Sequence, residues 1–291
     1  MEKRLIVNGD DFGRSSRVNE AIIRAHREGI LTSASLMVTG EAFAEAVALA
    51  RETPSLAVGL HLVLAGGRAV LPPAEIPNLV DGRGFFLSDP FRAGCRYFFS
   101  RAARRELARE MAAQFERFAA TGLPLDHVDG HMHLHLHPAV FPRLLPLALR
   151  YGARGIRLPR DDFRAALSYD GSFFLRKAGW ALSFGILSRM AHRRLRGEAL
   201  LVTDRVYGLM QTGAMSEAYL RFLLGRLRGA TAEIYFHPST AAEEALGPNP
   251  VDLATLLSPA LRRMIAEHGL SLTTYAALRE GSVCWRNSSG F

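Results

Sequence analysis

Short apolar runs of strand length alternate with helix-like apolar periodicity along almost the whole chain. The run at 5–7 predicts a buried first strand, and a period of 3.6 residues at 18–27 predicts the helix after it. Predicted strands lie at 5–7, 33–39, 57–63, 125–130, 155–159, 199–207, 232–236 and 270–274. Predicted helices lie at 18–27, 41–52, 101–120, 138–150, 217–228 and 253–267. The pattern therefore consists of seven or eight β/α units.

This alternation predicts an α/β protein with parallel strands and one domain spanning 1–291. The number of units favours a closed barrel over an open sheet. The segments 85–105 and 160–197 interrupt the pattern, and we expect them to be insertions near the mouth of the active site. A long irregular stretch covers 64–100, and the polar residues 280–291 predict a flexible tail.

Composition is typical of a globular protein, with 48% hydrophobic and 22% charged residues. Cys95 and Cys284 form no disulfide framework and no CxxC pair, which suits a reducing compartment. The apolar run at the N-terminus is too short for a secretory signal, and no run approaches the ~18 apolar residues of a spanning helix. These features predict a cytoplasmic protein.

The formal net charge is +8, and nearly all of the positive charge comes from arginine. A basic protein can bind nucleic acid, but no nucleic-acid-binding motif is present, so we expect no such partner. A basic surface that faces a membrane is the better alternative.

Polar clusters follow several predicted strands, where functional residues of α/β proteins gather. The clusters are Asp10-Asp11, His61, the histidine-rich stretch 126–137, and His237. The aspartate pair fits either a metal site or a helix N-cap. His61 fits either a metal ligand or a core histidine, and His237 either a general acid or a strand-to-loop turn.

Five histidines alternate between His127 and His137. In an extended chain they would face the same way, and such a row of imidazoles favours a metal site. One aspartate and two histidines form a three-ligand set that leaves coordination positions open for water and substrate. Imidazole suits zinc and carboxylate suits magnesium, so the residues alone leave the metal open.

Four motifs together resemble those of the YdjC-like carbohydrate deacetylase family, in order and in spacing. They are Ile6 to Gly13, Gly59 to Leu62, Asp129 to His133, and Phe236 to Pro238. The resemblance covers roughly 1–274. It implies a distorted (β/α) barrel of about seven parallel strands, of the glycoside hydrolase/deacetylase type. It also implies one divalent metal, usually Mg²⁺, and removal of acetyl from an N-acetylated sugar.

The resemblance also assigns roles position by position. Asp11, His61 and His131 would be the metal ligands. Asp10 would be the base that activates the attacking water, and His237 the acid that protonates the leaving amine, on the opposite side of the amide. We expect His133 and His135 to line the substrate pocket or to orient the metal ligands. Arg157 and Arg160, after a short strand, would contact the substrate or form surface salt bridges.

The segments 85–105 and 171–196 are rich in both aromatic residues and arginine, which favours contact with a membrane surface. Ordinary packing on the barrel is the alternative. This feature resembles the hopanoid-biosynthesis-associated branch of the family, which implies an N-acetylglucosaminyl hopanoid as substrate. Phe173, Trp180 and Arg193 would then form a lipid-binding mouth.

Three other functions remain open from the sequence. A deacetylase of soluble chitooligosaccharides would use the same chemistry on a different substrate. A metal-dependent phosphoesterase would need two or three metals, and hence more acidic ligands than the late strands offer. A non-catalytic carbohydrate-binding protein is the third. Peripheral contact with the inner membrane and a homodimer are further expectations.

Overall fold

A curled sheet of parallel strands forms the centre of the protein in the computed structural model, which describes residues 3–280. The strands are β1 (Lys3–Phe12), β2 (Ser33–Leu36), β3 (Ala57–Leu62), β4 (His127–Gly130), β5 (Gly155–Ile156), β6 (Arg205–Tyr207), β7 (Thr231–Phe236) and β8 (Leu270–Leu272). Their order in the sheet is β5-β4-β3-β2-β1-β7-β6, and β8 pairs with the beginning of β1. Every pairing between these strands is parallel.

Helices fill the connections between the strands. They are α1 (Ser16–Glu28), α2 (Phe43–Arg51), α3 (Pro90–Phe99), α4 (Arg101–Ala119), α5 (Phe141–Arg150), α6 (Phe163–Tyr169), α7 (Phe174–Arg194), α8 (Glu217–Leu224), α9 (Pro250–Leu256) and α10 (Pro259–Glu267). Within residues 3–280, none of the helices combines the length and the apolar character needed to cross a membrane.

The sheet curls towards a barrel, and the segment before the edge strand β6 contacts the other edge strand, β5, through one short bridge. The N–H of Ile156 in β5 donates to the carbonyl of Leu201 at 2.9 Å, just before β6 begins. Apart from this bridge, regular pairing between the two edges is absent from the described part of the chain. The predicted class, a distorted (β/α) barrel, is therefore confirmed.

A bulge near the end of β1 turns two neighbouring aspartates towards the same cavity. Gly9 pairs with Ala34 and Phe12 with Leu36, so β1 holds one residue more than β2 between these pairs. Asp11 has a φ of 67°, in the left-handed region that side-chain-bearing residues seldom adopt. Successive side chains of a regular strand point to opposite faces, and the bulge breaks this rule. Asp10 and Asp11 consequently line one cavity.

Two predictions from the sequence need correction. The stretch predicted as irregular contains α3, which begins where the Asp89 carboxylate caps the N–H groups of Phe91 and Arg92. The helix predicted at 253–267 is two helices, because Ser258 ends one turn and Pro259 opens the next.

Both predicted insertions contribute helices beside the turn at 131–136, which follows β4. Phe98 of α3 packs edge-on against His137, and Phe184 of α7 packs edge-on against His133. The segments 85–105 and 160–197 thus lie next to the histidine-rich stretch. The predicted tail at 280–291 lies outside the described residues, apart from Glu280.

A buried carboxylate on α4 anchors the long connection between β3 and α3. Glu110 accepts the N–H groups of Val70 and Leu71, both at 2.9 Å. Gln114, one turn later, bonds the N–H and the carbonyl of Val63. The connection is therefore fixed by side chains rather than by pairing with the sheet.

We expect Glu110→Ala to lower the free energy of unfolding by about 2 kcal/mol or more, because it leaves two largely buried N–H donors without acceptors. Urea denaturation followed by circular dichroism measures the effect. Glu116→Ala, at an exposed position of the same helix, serves as the control and should change stability by less than about 0.5 kcal/mol. Equal stabilities of the two variants would contradict the anchoring role.

Candidate metal centre and active site

Three possible ligand atoms converge at the carboxyl ends of β1, β3 and β4. Asp11 Oδ1 lies 3.2 Å from His131 Nδ1 and 3.4 Å from His61 Nε2. All three residues are buried, and their ligand atoms lie within 4.8 Å of one another. The structure therefore brings together the three residues predicted as metal ligands.

The donors fit a divalent cation. Asp11 Oδ1 is buried and has no hydrogen-bond partner among the described residues, which is costly for a carboxylate oxygen unless a cation approaches it. Ligands about 2.1 Å from one tetrahedral ion lie roughly 3.4 Å apart, close to the separations seen here. The imidazoles also hold the pKa of Asp11 well below its usual range, although burial acts in the opposite direction.

The geometry favours a single ion over a two-metal centre. The described residues contain one other group of close donors, Asp10, His61 and Asp129, and it shares His61 with the first. Both carboxylates of this second group are paired with Arg157, at 2.7 and 2.6 Å. A second cation would have to displace this guanidinium.

Asp129 orients His61 from behind. Its Oδ1 lies 2.8 Å from His61 Nδ1, while its Oδ2 accepts the Ser35 hydroxyl at 2.8 Å. Burial opposes ionisation, but Arg157 and His61 hold the pKa of Asp129 well below its usual range. Burial likewise opposes protonation of His61, yet Asp129 and Asp11 raise its pKa to about 10. A cation that binds His61 has to displace the proton on Nε2, and the carboxylate behind Nδ1 then fixes the tautomer of the ligating imidazole.

Asp129→Asn should weaken metal affinity by about 10- to 100-fold, because the orienting charge behind His61 is lost. Competition with a chromophoric chelator measures the dissociation constant. Asp81→Asn makes the same change at an exposed position and should leave affinity unchanged. If both variants bind metal as tightly as the wild type, Asp129 does not orient His61.

Asp10 is held by a buried arginine beside the candidate ligands. Arg157 donates from Nη1 to Oδ2 and from Nη2 to Oδ1 of Asp10, both at 2.7 Å. Asn8 donates to the same Oδ1 at 2.8 Å. Arg157 Nε binds Glu233 at 2.7 Å, and Glu233 in turn accepts the Tyr275 hydroxyl at 2.7 Å.

Arg157 was predicted as a residue that contacts the substrate, and the structure corrects this. Its side chain is 0% exposed, and its donors are taken up by Asp10, Asp129 and Glu233. Burial opposes its charge, but these carboxylates raise the pKa of Arg157 well above its usual value. Its geometry is that of a residue that positions Asp10.

His237 follows β7 and lies beside Asp10 rather than opposite it. Its Nε2 is 3.8 Å from Asp10 Oδ2, and its side chain is largely buried. The backbone N–H of His237 donates to Asp252 at 2.8 Å, which fixes the turn that carries the imidazole. The expected acid and base are thus neighbours on one wall of the cavity.

The stretch after β4 does not continue as a strand, so the histidines do not form one row. Residues 131–136 form a tight 3₁₀-like turn, with φ values of 53° at Met132 and 54° at His133. His133 lines the cavity, while His135 points away and lies 2.9 Å from the Arg157 carbonyl. The expectation of an extended histidine row is therefore wrong.

His133 has one buried polar atom without a partner among the described residues. Its Nε2 lies 3.0 Å from the Tyr235 hydroxyl, and its Nδ1 has no partner among the described residues. Burial, assisted by His135 and Arg157, lowers the pKa of His133 well below its usual value. Burial also lowers the pKa of His135 to about 4. Both imidazoles are therefore neutral at pH 7.

The candidate ligands open into a cavity of about 320 Å³ with a largely apolar wall. Trp180 and Phe184 of α7 form part of that wall. Arg160 lies outside it, in an adjoining cavity. Phe173 is exposed at the start of α7, whereas Arg193 lies near its other end, so the three residues predicted for a lipid mouth are spread along the helix.

Several residues of the site were not identified from the sequence. Asn8 and Glu233 are polar residues inside buried strands, and that contrast with their apolar neighbours is a signal that could have found them. Ser35 and Tyr235 give no comparable signal, because both are ordinary in strands.

Comparison with known proteins agrees with this geometry. The profile of the family described as YdjC-like protein matches residues 4–267. A carbohydrate deacetylase of Brevibacillus brevis is 34% identical over 94% of this chain and 99% of its own length. A chitooligosaccharide deacetylase of Salmonella schwarzengrund is 35% identical over 69% of this chain and 80% of its own.

A solved structure shows the same architecture. A candidate cellobiose-phosphate cleavage protein of Enterococcus faecalis V583 superposes with a TM-score of 0.75 and 25% identity. The alignment covers 96% of this chain and 99% of that protein.

Proposed function

This chain belongs to the YdjC-like protein family, and on that premise we propose that it is a metal-dependent carbohydrate N-deacetylase. Its reaction is hydrolysis of the acetamido group of an N-acetylglucosamine unit. The observation that carries the proposal is the juxtaposition of two features on one cavity wall. Asp11, His61 and His131 offer a cation site, and Asp10 stands next to them with its carboxylate fixed by Arg157.

A divalent cation held by Asp11, His61 and His131 would polarise the acetyl carbonyl and lower the pKa of water. The resemblance to the family implies Mg²⁺, whereas two imidazoles and one carboxylate are a donor set more typical of Zn²⁺. Metal analysis of the protein purified without added metal decides between the two.

Asp10 acts as the general base. Both of its oxygens are held by Arg157 at 2.7 Å, so the carboxylate cannot rotate away from the cavity. It accepts a proton from water as the oxygen attacks the acetyl carbon. Arg157 keeps its own proton throughout, because three carboxylates surround it.

His237 completes the proton transfer. As the bond between carbon and nitrogen breaks, the nitrogen needs a proton to leave as an amine, and His237 Nε2 is the nearby imidazole that can supply it. His237 gives its proton to the nitrogen and Asp10 holds the one taken from water, so one proton must return from Asp10 to His237 after each turnover. His237 Nε2 and Asp10 Oδ2 lie 3.8 Å apart, a separation that a bridging water closes. The products are acetate and the free amino sugar.

The cavity wall binds and orients the sugar. Trp180 and Phe184 supply apolar surface suited to the face of a sugar ring, and they keep bulk water away from Asp10. His133 belongs to the same wall as a neutral imidazole. These contacts orient the acetamido group towards Asp10.

A lipid-linked sugar is our more specific proposal for the substrate, with soluble chitooligosaccharides as the alternative. The exposed aromatic side chains of α3 and α7 support it: Phe91 is 77% exposed, Phe99 78% and Phe173 65%. Such residues suit the interface of a membrane. The curated relatives described above are named for carbohydrate substrates, which fits the soluble alternative equally well.

Acetate release from two substrates tests the proposal. Metal-loaded enzyme is incubated with N-acetylchitobiose or with an N-acetylglucosaminyl lipid, and mass spectrometry follows the loss of one acetyl group. Deacetylation of either one supports the reaction, and the ratio of kcat/KM assigns the substrate class. Absence of acetate from both, with metal bound, would refute the proposal.

The two other functions that the sequence left open have less support. A two-metal phosphoesterase would need ligands that Arg157 already occupies. A non-catalytic binding protein has no need for a carboxylate locked next to a cation site. The cytoplasmic location, the peripheral membrane contact, the single domain and the homodimer stay predictions.

A further inference from the structure

Another cavity lies outside the site described above, and its lining is strongly basic. It has a volume of about 210 Å³ and is lined by Arg160, Ser188, Arg189, His192, Arg193 and Arg196. No acidic side chain takes part in this lining. Four guanidinium groups therefore converge on one concave surface.

Within the described part of the chain, no acidic side chain balances the charge of these arginines. Among residues 3–280, none of the four makes an ion pair or a hydrogen bond through its guanidinium group. Like charges four residues apart, such as Arg189 and Arg193, repel one another on a helix. The dipole at the C-terminus of α7 favours basic residues there, but it explains neither Arg189, which is further from the end, nor Arg160, which lies on another segment.

The geometry of the cavity is fixed by a buried contact. Ser188 is 1% exposed and donates its hydroxyl to the Pro159 carbonyl at 2.8 Å. This bond ties α7 to the segment after β5, so that Arg160 faces the arginines of the helix. The cluster is thus formed by two elements held together, not by one solvated helix face.

We propose that the arginine cavity binds a phosphate-bearing group. Several guanidinium groups around one cavity suit an anion with more than one charge and several acceptor oxygens. Arg160 and Arg189 also line the next cavity, together with Trp180 and Phe184, which belong to the wall of the catalytic cavity. If the proposed deacetylase function is correct, an anionic part of the substrate or of its membrane surroundings would lie on the far side of that wall.

Titration calorimetry tests the phosphate-binding proposal. Inorganic phosphate and diphosphate are titrated into the metal-loaded full chain at constant ionic strength. Arg189→Glu should raise the dissociation constant by at least about tenfold. Arg263→Glu, the same charge change at an exposed position of α10, should change it by less than about twofold. Arg160→Gln, outside the helix, repeats the test should Arg189→Glu fail to fold.

Vesicles separate the two sources of phosphate. Co-sedimentation with phosphatidylcholine vesicles is compared with and without phosphatidylglycerol. If inorganic phosphate binds but phosphatidylglycerol does not increase the binding to vesicles, the cavity is assigned to a soluble phosphate ester. Vesicle binding that needs phosphatidylglycerol and Arg189 assigns it to a lipid headgroup. If no probe binds, or if the two Glu variants lose binding equally, the proposal is wrong, whatever the outcome of the deacetylation assay.

Discussion

Asp10→Asn should lower kcat for acetate release by about 10³-fold, the size expected when a positioned general base is lost. Asparagine fills the same space but cannot accept the proton of the attacking water. Its metal content should stay at the wild-type level, because Asp10 is not one of the three converging ligands. Steady-state kinetics with a saturating acetylated sugar measures the change.

The controls separate chemistry from folding. Asn places an amide against Arg157, which then keeps only Asp129 and Glu233 as partners, so the melting temperature must be measured alongside. Glu233→Gln removes another partner of the same guanidinium while leaving Asp10 in place, and it should cost far less activity. An Asp10→Asn enzyme that is folded, metal-loaded and fully active would show that another group is the base.

Removal of the metal should abolish acetate release, to below about 0.1% of the initial rate, and added divalent metal should restore it. The ion should also stabilise the folded chain, by about 2.7 kcal/mol at a free concentration 100 times its dissociation constant. Asp11→Asn should lose both responses, because it removes the charge of the one carboxylate ligand. Chelation followed by activity assays and thermal melts measures both.

Asp126→Asn provides the comparison for Asp11→Asn. Asp126 is also a buried aspartate near a histidine, His127, but it lies outside the converging set. Its variant should keep a metal-dependent melting temperature even where its overall stability falls. A metal response that persists in Asp11→Asn would place the cation elsewhere.

Strand periodicity was enough to predict the parallel α/β architecture, and strand-end polarity marked the clusters that contain Asp11, His61 and His131. The reason is physical: carboxyl ends of parallel strands share one edge, so polar residues at those ends must meet. The resemblance to the family was needed to select these three as the ligands. The boundaries were harder to predict. Helix α3 lies in a Gly- and Pro-rich region, and only the Asp89-Pro90 cap marks its beginning.

The environment of Arg157 could not be predicted from the chain. A charged residue after a short strand is usually solvated, and only the tertiary structure shows Asp10, Asp129 and Glu233 around it. The prediction that the histidines form one row was wrong for a related reason. Alternating side chains share one face only where the backbone is extended. Met132 and His133 have left-handed backbone conformations, so the chain is not extended there.

The bulge in β1 also bears on how such chains can be recognised and altered. Two neighbouring side chains share one face of a strand only where the regular pleat is interrupted. Two adjacent acidic residues at the end of a core strand therefore indicate a β-bulge at that position. A deletion between Gly9 and Phe12 would restore a regular strand and leave a single carboxylate in the cavity. The fold should therefore tolerate a residue that accepts positive φ, such as asparagine at position 11, far better than any change in the length of this segment, although that asparagine would no longer serve as a metal ligand.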